Sequence, residues 1–215
     1  MGEPSLFRKW KQWIDRIYCD QLVPLLRNRQ VFHQLQEAFR RQKDRRRSAE
    51  FAAWMVQCYV AFASTAIRRM VEEPGRRWDS VSLLILLEDL KTHDDLLTRE
   101  RFRLRYPRNL RERFADRDFD TITRRKRALR LTASGIQKDM ARLRRAAQPV
   151  KRLVNKVVAH TELDRRRIGK ATYEALDQAV DVIEATFRRY SLLLKGTYEQ
   201  TFEVDIREDI EKIWP

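Results

Sequence analysis

The chain has 215 residues, 46 Lys and Arg against 31 Asp and Glu, a net charge of +15 and a hydrophobic fraction of 43%. That much apolar material excludes a wholly disordered chain, and the length suits one domain with at most an appendage. Five Gly and six Pro are few for a turn-rich sheet protein, so the composition predicts an all-α fold.

In chain order, Leu6, Trp10, Trp13, Ile14 and Ile17 recur at helical spacing, with Ser5 as a candidate cap. Pro24 interrupts, and Val31, Phe32, Leu35 and Phe39 mark a second helix. The two divide the chain into an N-terminal helix, 1–29, and a helical domain, 30–215. Phe51 to Ile67 is nearly all apolar over 17 residues, at the short limit for a bilayer span. Gln57, Ser64 and Thr65 within it favour a central helix buried on most sides. Pro74-Gly75 ends that helix. Asp79 or Ser80 then caps a short helix through Leu84, Leu87 and Leu90. Thr98 starts another, which Pro107 breaks. From about Ser134, the residues Ile136, Met140, Leu143, Ala147, Val150, Leu153 and Val157 trace a long helix, kinked at Pro149. Thr161–Lys170 reads as a loop. Thr172 opens the last long helix, Gly196 sits at its C-terminal cap, and Asp205 caps a terminal one. The expectation is an antiparallel helical bundle with an irregular basic central excursion.

The charge is concentrated. Residues 99–170 hold 24 basic and 8 acidic residues, a net of +16, while residues 51–98 and 171–215 are mildly acidic. A local cation block is what a polyanion partner requires, because each phosphate contact releases condensed counterions. Arg124, Arg125, Lys126 and Arg127, with Arg165, Arg166 and Arg167, are the candidate nucleic-acid contacts. Phe102, Tyr106, Phe114 and Phe119 lie among the arginines. They either stack on bases or pin the excursion to the core. Cys19 and Cys58 lack ligand spacing and are expected to pack as small hydrophobes. Met1–Trp10 has no apolar signal core, so a cytoplasmic protein without a membrane span is expected, and no cofactor or metal motif is seen.

Three histidines carry the search for chemistry. His33 reads as partly exposed structure, and His93, in Thr-His-Asp-Asp, has no companion ligand. His160 closes the string Arg152-Leu-Val-Asn-Lys-Val-Val-Ala-His160. On a helix Lys156 and His160 lie about 40° apart in azimuth, and Arg152 about 80° from His160. Imidazole moves protons near neutral pH and a cation holds phosphate, although a helix-end His also serves as a cap.

Asn155-Lys-Val-Val-Ala-His160, followed by Thr-Glu-Leu-Asp164, resembles the signature of HEPN domains, helical proteins of prokaryotic conflict and defence systems. The Phe51–Met70 helix, Ser82-Leu-Leu-Ile-Leu-Leu and Tyr190-Ser-Leu-Leu-Leu-Lys-Gly196 are similar to the abortive-infection AbiU-like branch, over roughly residues 30–214. The resemblance implies a helix bundle that pairs as a homodimer. It also implies a metal-independent ribonuclease site built from Arg, four to six residues, then His. His160 matches the motif His and Asn155 the polar position after the Arg, whereas the Arg position is Val154. Seven residues separate Arg152 from His160 and three separate Lys156 from it, so the catalytic candidates are His160, Asn155, Lys156 and Arg152.

Three functions compete. One is an RNA-cleaving or RNA-binding protein of phage defence or of a toxin–antitoxin pair, with a cognate antitoxin or regulator. The second is a non-catalytic dimer that binds nucleic acid or protein. The third is a structural dimer whose arginines are consumed by the carboxylates of Glu174–Glu211.

Overall fold

The computed structural model describes residues 3–41, 49–75, 80–153, 171–197 and 204–213. They form helices α1 (Glu3–Ile17), α2 (Val23–Arg41), α3 (Ala49–Met70), α4 (Leu83–Thr92), α5 (Arg99–Arg103), α6 (Asp116–Thr123), α7 (Ala133–Leu153), α8 (Ala171–Lys195) and α9 (Arg207–Ile213). The all-α expectation holds.

The apolar spacing of α1 becomes one buried stripe, Leu6, Trp10, Ile14 and Ile17. Ser5 is not its cap, because α1 begins at Glu3. Nor does Pro24 separate two helices. A π-helical turn, Tyr18–Leu22, joins α1 to α2, and Pro24, with no N–H to donate, falls just past it.

α2 and α3 form an antiparallel hairpin. Phe39 meets Phe51 at 5.7 Å between ring centroids, and Phe32 stacks on Tyr59 at 4.0 Å. α8 runs antiparallel to α2, since Arg29 pairs with Asp181 while His33 meets Asp177. α7 runs antiparallel to α8, because Asp139 near its start meets Arg189 and Tyr190 near the end of α8.

The enclosed helix is α4, not α3. Leu83, Leu84, Ile85, Leu86, Leu87 and Leu90 are all buried. Its cap is Ser82, whose Oγ accepts from the Ile85 N–H at 3.1 Å, rather than Asp79 or Ser80. Trp10 holds α1 to it, with Nε1 donating to Asp89 Oδ2 at 2.6 Å. In α3, Met55, Tyr59, Val60, Ala63, Ile67 and Met70 face the core, but Phe51, Trp54 and Phe62 face solvent. Both cysteines are exposed, contrary to expectation: Cys58 lies on the outer face of α3 and Cys19 on the π-helical turn.

Three further caps follow the sequence. Thr98 Oγ1 accepts from the Arg101 N–H at 3.3 Å, and α5 ends before Pro107. α7 continues through Pro149 to Leu153. Gly196 takes φ +73° and closes α8 by donating to Leu192 O at 2.8 Å. Asp205 Oδ1 accepts from the Arg207 N–H at 3.0 Å ahead of α9.

Candidate nucleic-acid interface

The basic excursion is closed at its base. Thr98 and Arg130 form an isolated antiparallel bridge, with Arg99 N–H donating to Leu129 O at 2.8 Å and Leu131 N–H to Leu97 O at 2.9 Å. The Arg99 side chain reinforces this closure. Its Nε donates to Ala128 O at 2.8 Å, and its guanidinium pairs with Asp116 at 3.2 Å and with Asp120. That hydrogen bond from Arg99, joined by the Arg127 N–H, holds the Asp120 carboxyl below its ordinary value of 3.8.

The interleaved aromatics pin the excursion to the bundle. Phe102 and Phe119 are fully buried, 5.4 Å apart between ring centroids. Tyr106 Oη donates to Asp118 Oδ2 at 2.8 Å. Arg105 lies 5.0 Å over Phe7 and donates through Nε to Leu194 O at 3.1 Å, with burial pushing its pKa down to about 10. Phe102 and Phe119 are therefore core and Tyr106 packs against it, so these three are not base-stacking platforms.

α6 ends at Arg124, which adopts a left-handed conformation with φ 54°, and Arg127 does so at φ 56°. Such backbone costs about 1–2 kcal/mol at a non-glycine residue, so the surrounding contacts must hold it. Arg124 is held by Asp139, its Nη1 standing 3.1 Å from Oδ1. Asp139 is only 1% exposed, and its Oδ2 accepts from Arg189 and, at 2.9 Å, from the Tyr190 hydroxyl. Burial pushes the Tyr190 hydroxyl well up and the Arg189 guanidinium down. Arg189 Nε also donates to Ile122 O at the end of α6. One buried carboxylate thus ties α6, α7 and α8 together below the loop.

Of the four cations predicted in the first run, Arg124 is anchored in this way, while Arg125, Lys126 and Arg127 project from the loop. With Arg130 they are exposed and make no side-chain ion pair among the described residues. Together they rim a shallow recess of about 390 Å³ formed by Thr123, residues 125–132 and Gly135. Leu129, 82% exposed, adds an apolar contact at its edge. The cation track then continues on α7. Lys138, Arg142 and Arg145 follow at spacings of four and three, are exposed, and make no ion pair among the described residues. The charge block alone does not single out these three, although their helical spacing is present in the sequence.

Arg152 belongs to the last turn of α7, seven residues after Arg145. Asn155, Lys156, His160, Arg165, Arg166 and Arg167 lie outside the described residues.

The ion pairs found for Arg99, Arg103, Arg117, Arg124 and Arg144 go to Asp116, Asp118, Asp120, Asp139 and Glu73. Carboxylates on α8 pair elsewhere. Asp181 and Glu184 take Arg29, and Asp177 accepts from His33 and Tyr59, each at 3.3 Å. Burial pushes the Tyr59 hydroxyl up. Among the described residues, the C-terminal carboxylates therefore make no ion pair with the loop or the α7 track. No described helix is long and apolar enough to cross a membrane.

No curated protein and no solved structure matches the chain. A family model does: that of the AbiU2 proteins of the HEPN class matches residues 7–209, nearly the whole chain and every helix named above except the ends of the first and last. With this match and its all-α bundle, the chain belongs to the AbiU2 family of abortive-infection-type HEPN proteins.

Proposed function

We propose that this protein acts on RNA as part of a defence or toxin–antitoxin system. RNA would lie along the exposed cations of the 125–130 loop and α7 and be delivered to the segment around His160. The observation that carries this reading is the track Arg125, Lys126, Arg127, Arg130, Lys138, Arg142 and Arg145. It leads along α7 toward Arg152, after which the Asn155–His160 string follows in sequence. In a basic protein the internal carboxylates usually absorb the arginines; among the described residues of the block they take Arg99, Arg103, Arg117, Arg124 and Arg144 and leave this track without an ion pair.

The chemistry follows from the residue types in the motif. The RNA 2′-hydroxyl attacks the adjacent phosphate and the 5′-oxygen leaves, giving a cyclic phosphate. His160 moves a proton in that exchange, and Arg152 or Lys156 balances the charge that develops on the phosphate oxygens. No metal is required for those steps. Two copies pair to complete the site, and a cognate antitoxin would act by covering it.

Val154 in the place of the motif Arg favours a second reading, in which the protein holds RNA without cutting it. Lys156 offers a point charge rather than a planar fork. One experiment separates the readings: incubate total RNA with the protein in EDTA, comparing wild type with His160→Ala. The nuclease reading expects cleavage ending in cyclic phosphate, lost in His160→Ala at unchanged helical circular dichroism. Salt-sensitive binding without cleavage selects the second reading, and absence of binding at low salt refutes both.

A further inference from the structure

α3 carries a solvent face with no charge on it. From Phe51 to Thr65 the exposed residues are all uncharged, in a chain 36% charged. Phe51, Trp54 and Phe62 are 42%, 59% and 38% exposed. Phe51, Trp54, Cys58, Ala61 and Thr65 follow alternating steps of three and four, the spacing of a helix–helix seam, with Phe62 beside it. The opposite stripe of the same helix fills the core, so this face is not a by-product of burial.

We infer that this stripe is where a second copy of the chain docks, α3 against α3, antiparallel about a two-fold axis near Cys58. The inference rests on the paired state proposed above and supplies its interface. Three features select a second copy as the occupant. The stripe is self-complementary about Cys58: residue 54 opposes residue 62 of the other copy, so each Trp54 meets a Phe62 with the small Ala61 beside it. This is the requirement of an isologous contact. The ends are complementary in charge. The exposed Glu50 at the start of α3 lands within a side-chain's reach of Arg68 and Arg69 at the end of the other α3. Finally, that end bears a recess of about 430 Å³ lined by Thr65, Arg68, Arg69, Val71, Glu72 and Glu73. Residue 51 opposes residue 65, so the recess receives the second copy's Phe51, a ring beside a guanidinium. Two copies of a +15 chain repel across most approaches, and a face without net charge is where the repulsion is least.

The test joins light scattering with cross-linking. In a Cys19→Ser background, bismaleimidoethane is expected to give a covalent dimer through Cys58, lost in Cys58→Ser. Trp54→Ala and Phe62→Ala are expected to weaken association at least about tenfold at unchanged circular dichroism, both positions being exposed. Glu50→Arg should weaken it, and Arg69→Glu in the same chain should restore it. A dimer that gives no Cys58 product and is indifferent to Trp54→Ala overturns this interface while leaving the paired state standing. A monomer throughout the micromolar range overturns both. Monomers that bind phosphatidylcholine vesicles through Trp54 assign the stripe to lipid and overturn it as well.

Discussion

The two halves of the basic stretch use arginine in opposite ways. Between Arg99 and Arg124 most of the described guanidinium groups are structural, with Arg108 exposed. Arg99 and Arg103 pair with Asp116, Arg105 lies on Phe7 and Phe102, and Arg124 reaches a buried carboxylate. Between Arg125 and Arg145 most cations face water, with Arg144, held by Glu73 at 2.6 Å, the exception. The net charge of the stretch is therefore a poor measure of its field, because only charge without an internal partner is left for a ligand. The first half builds the platform and the second half presents it.

The strongest way to break this contrast is to remove the carboxylate below the loop. Asp139→Ala leaves Arg189 buried without its partner, and the expected loss is about 3–5 kcal/mol of stability, read as a lower urea midpoint. A loss under about 1 kcal/mol would mean that the first half is not structural. Arg99→Ala comes next, at about 2 kcal/mol, since several hydrogen bonds to carboxylates and carbonyls go with it. Because they close the base of the excursion, limited trypsin cleavage within 99–130 should speed up before global unfolding.

Acid is a milder probe of the same closure. The folded pKa of Asp120 lies below its ordinary value, so its contribution is complete above about pH 4 and fades as pH falls through the folded value. Amide exchange at Arg127 should accelerate in that window before the bundle itself responds. The smallest stability effects belong to the second half. Arg125→Ala, Arg127→Ala, Arg142→Ala and Arg145→Ala should each change stability by no more than about 0.5 kcal/mol. Each should instead weaken RNA binding and flatten its dependence on log salt by about 0.7 for every phosphate left without its cation. If they unfold the protein instead, the contrast is false.

The long helices were legible because α1, α7 and α8 each bury one stripe, and a single buried stripe writes a 3.6-residue period into the sequence. Gly196 was legible for the same local reason, a left-handed cap. The inversion of α3 and α4 was not. An apolar run without charge is written the same way whether the bundle encloses it or another surface covers it, and only the packing showed α4 enclosed and α3 half bare. The exposure of Cys58 follows from that inversion. In the candidate interface, the run Arg124–Arg127 was visible as charge. Its division between one anchored and three projecting cations depends on Asp139, and the contacts that hold Asp139 come from Arg189 and Tyr190, some 50 positions along the chain. Lys138, Arg142 and Arg145 are readable from helical spacing, but the apolar stripe of α7 is the stronger periodic signal in the same residues.

The unequal settings of Trp10 and Trp54 give the protein two optical reporters. Trp10 is fully enclosed, and Trp54 is more than half exposed on α3. Unfolding moves the Trp10 indole into water and its emission to the red. Covering the α3 stripe takes the Trp54 indole out of water and moves its emission to the blue. Fluorescence of a Trp54→Phe variant against wild type therefore separates assembly from folding in one titration.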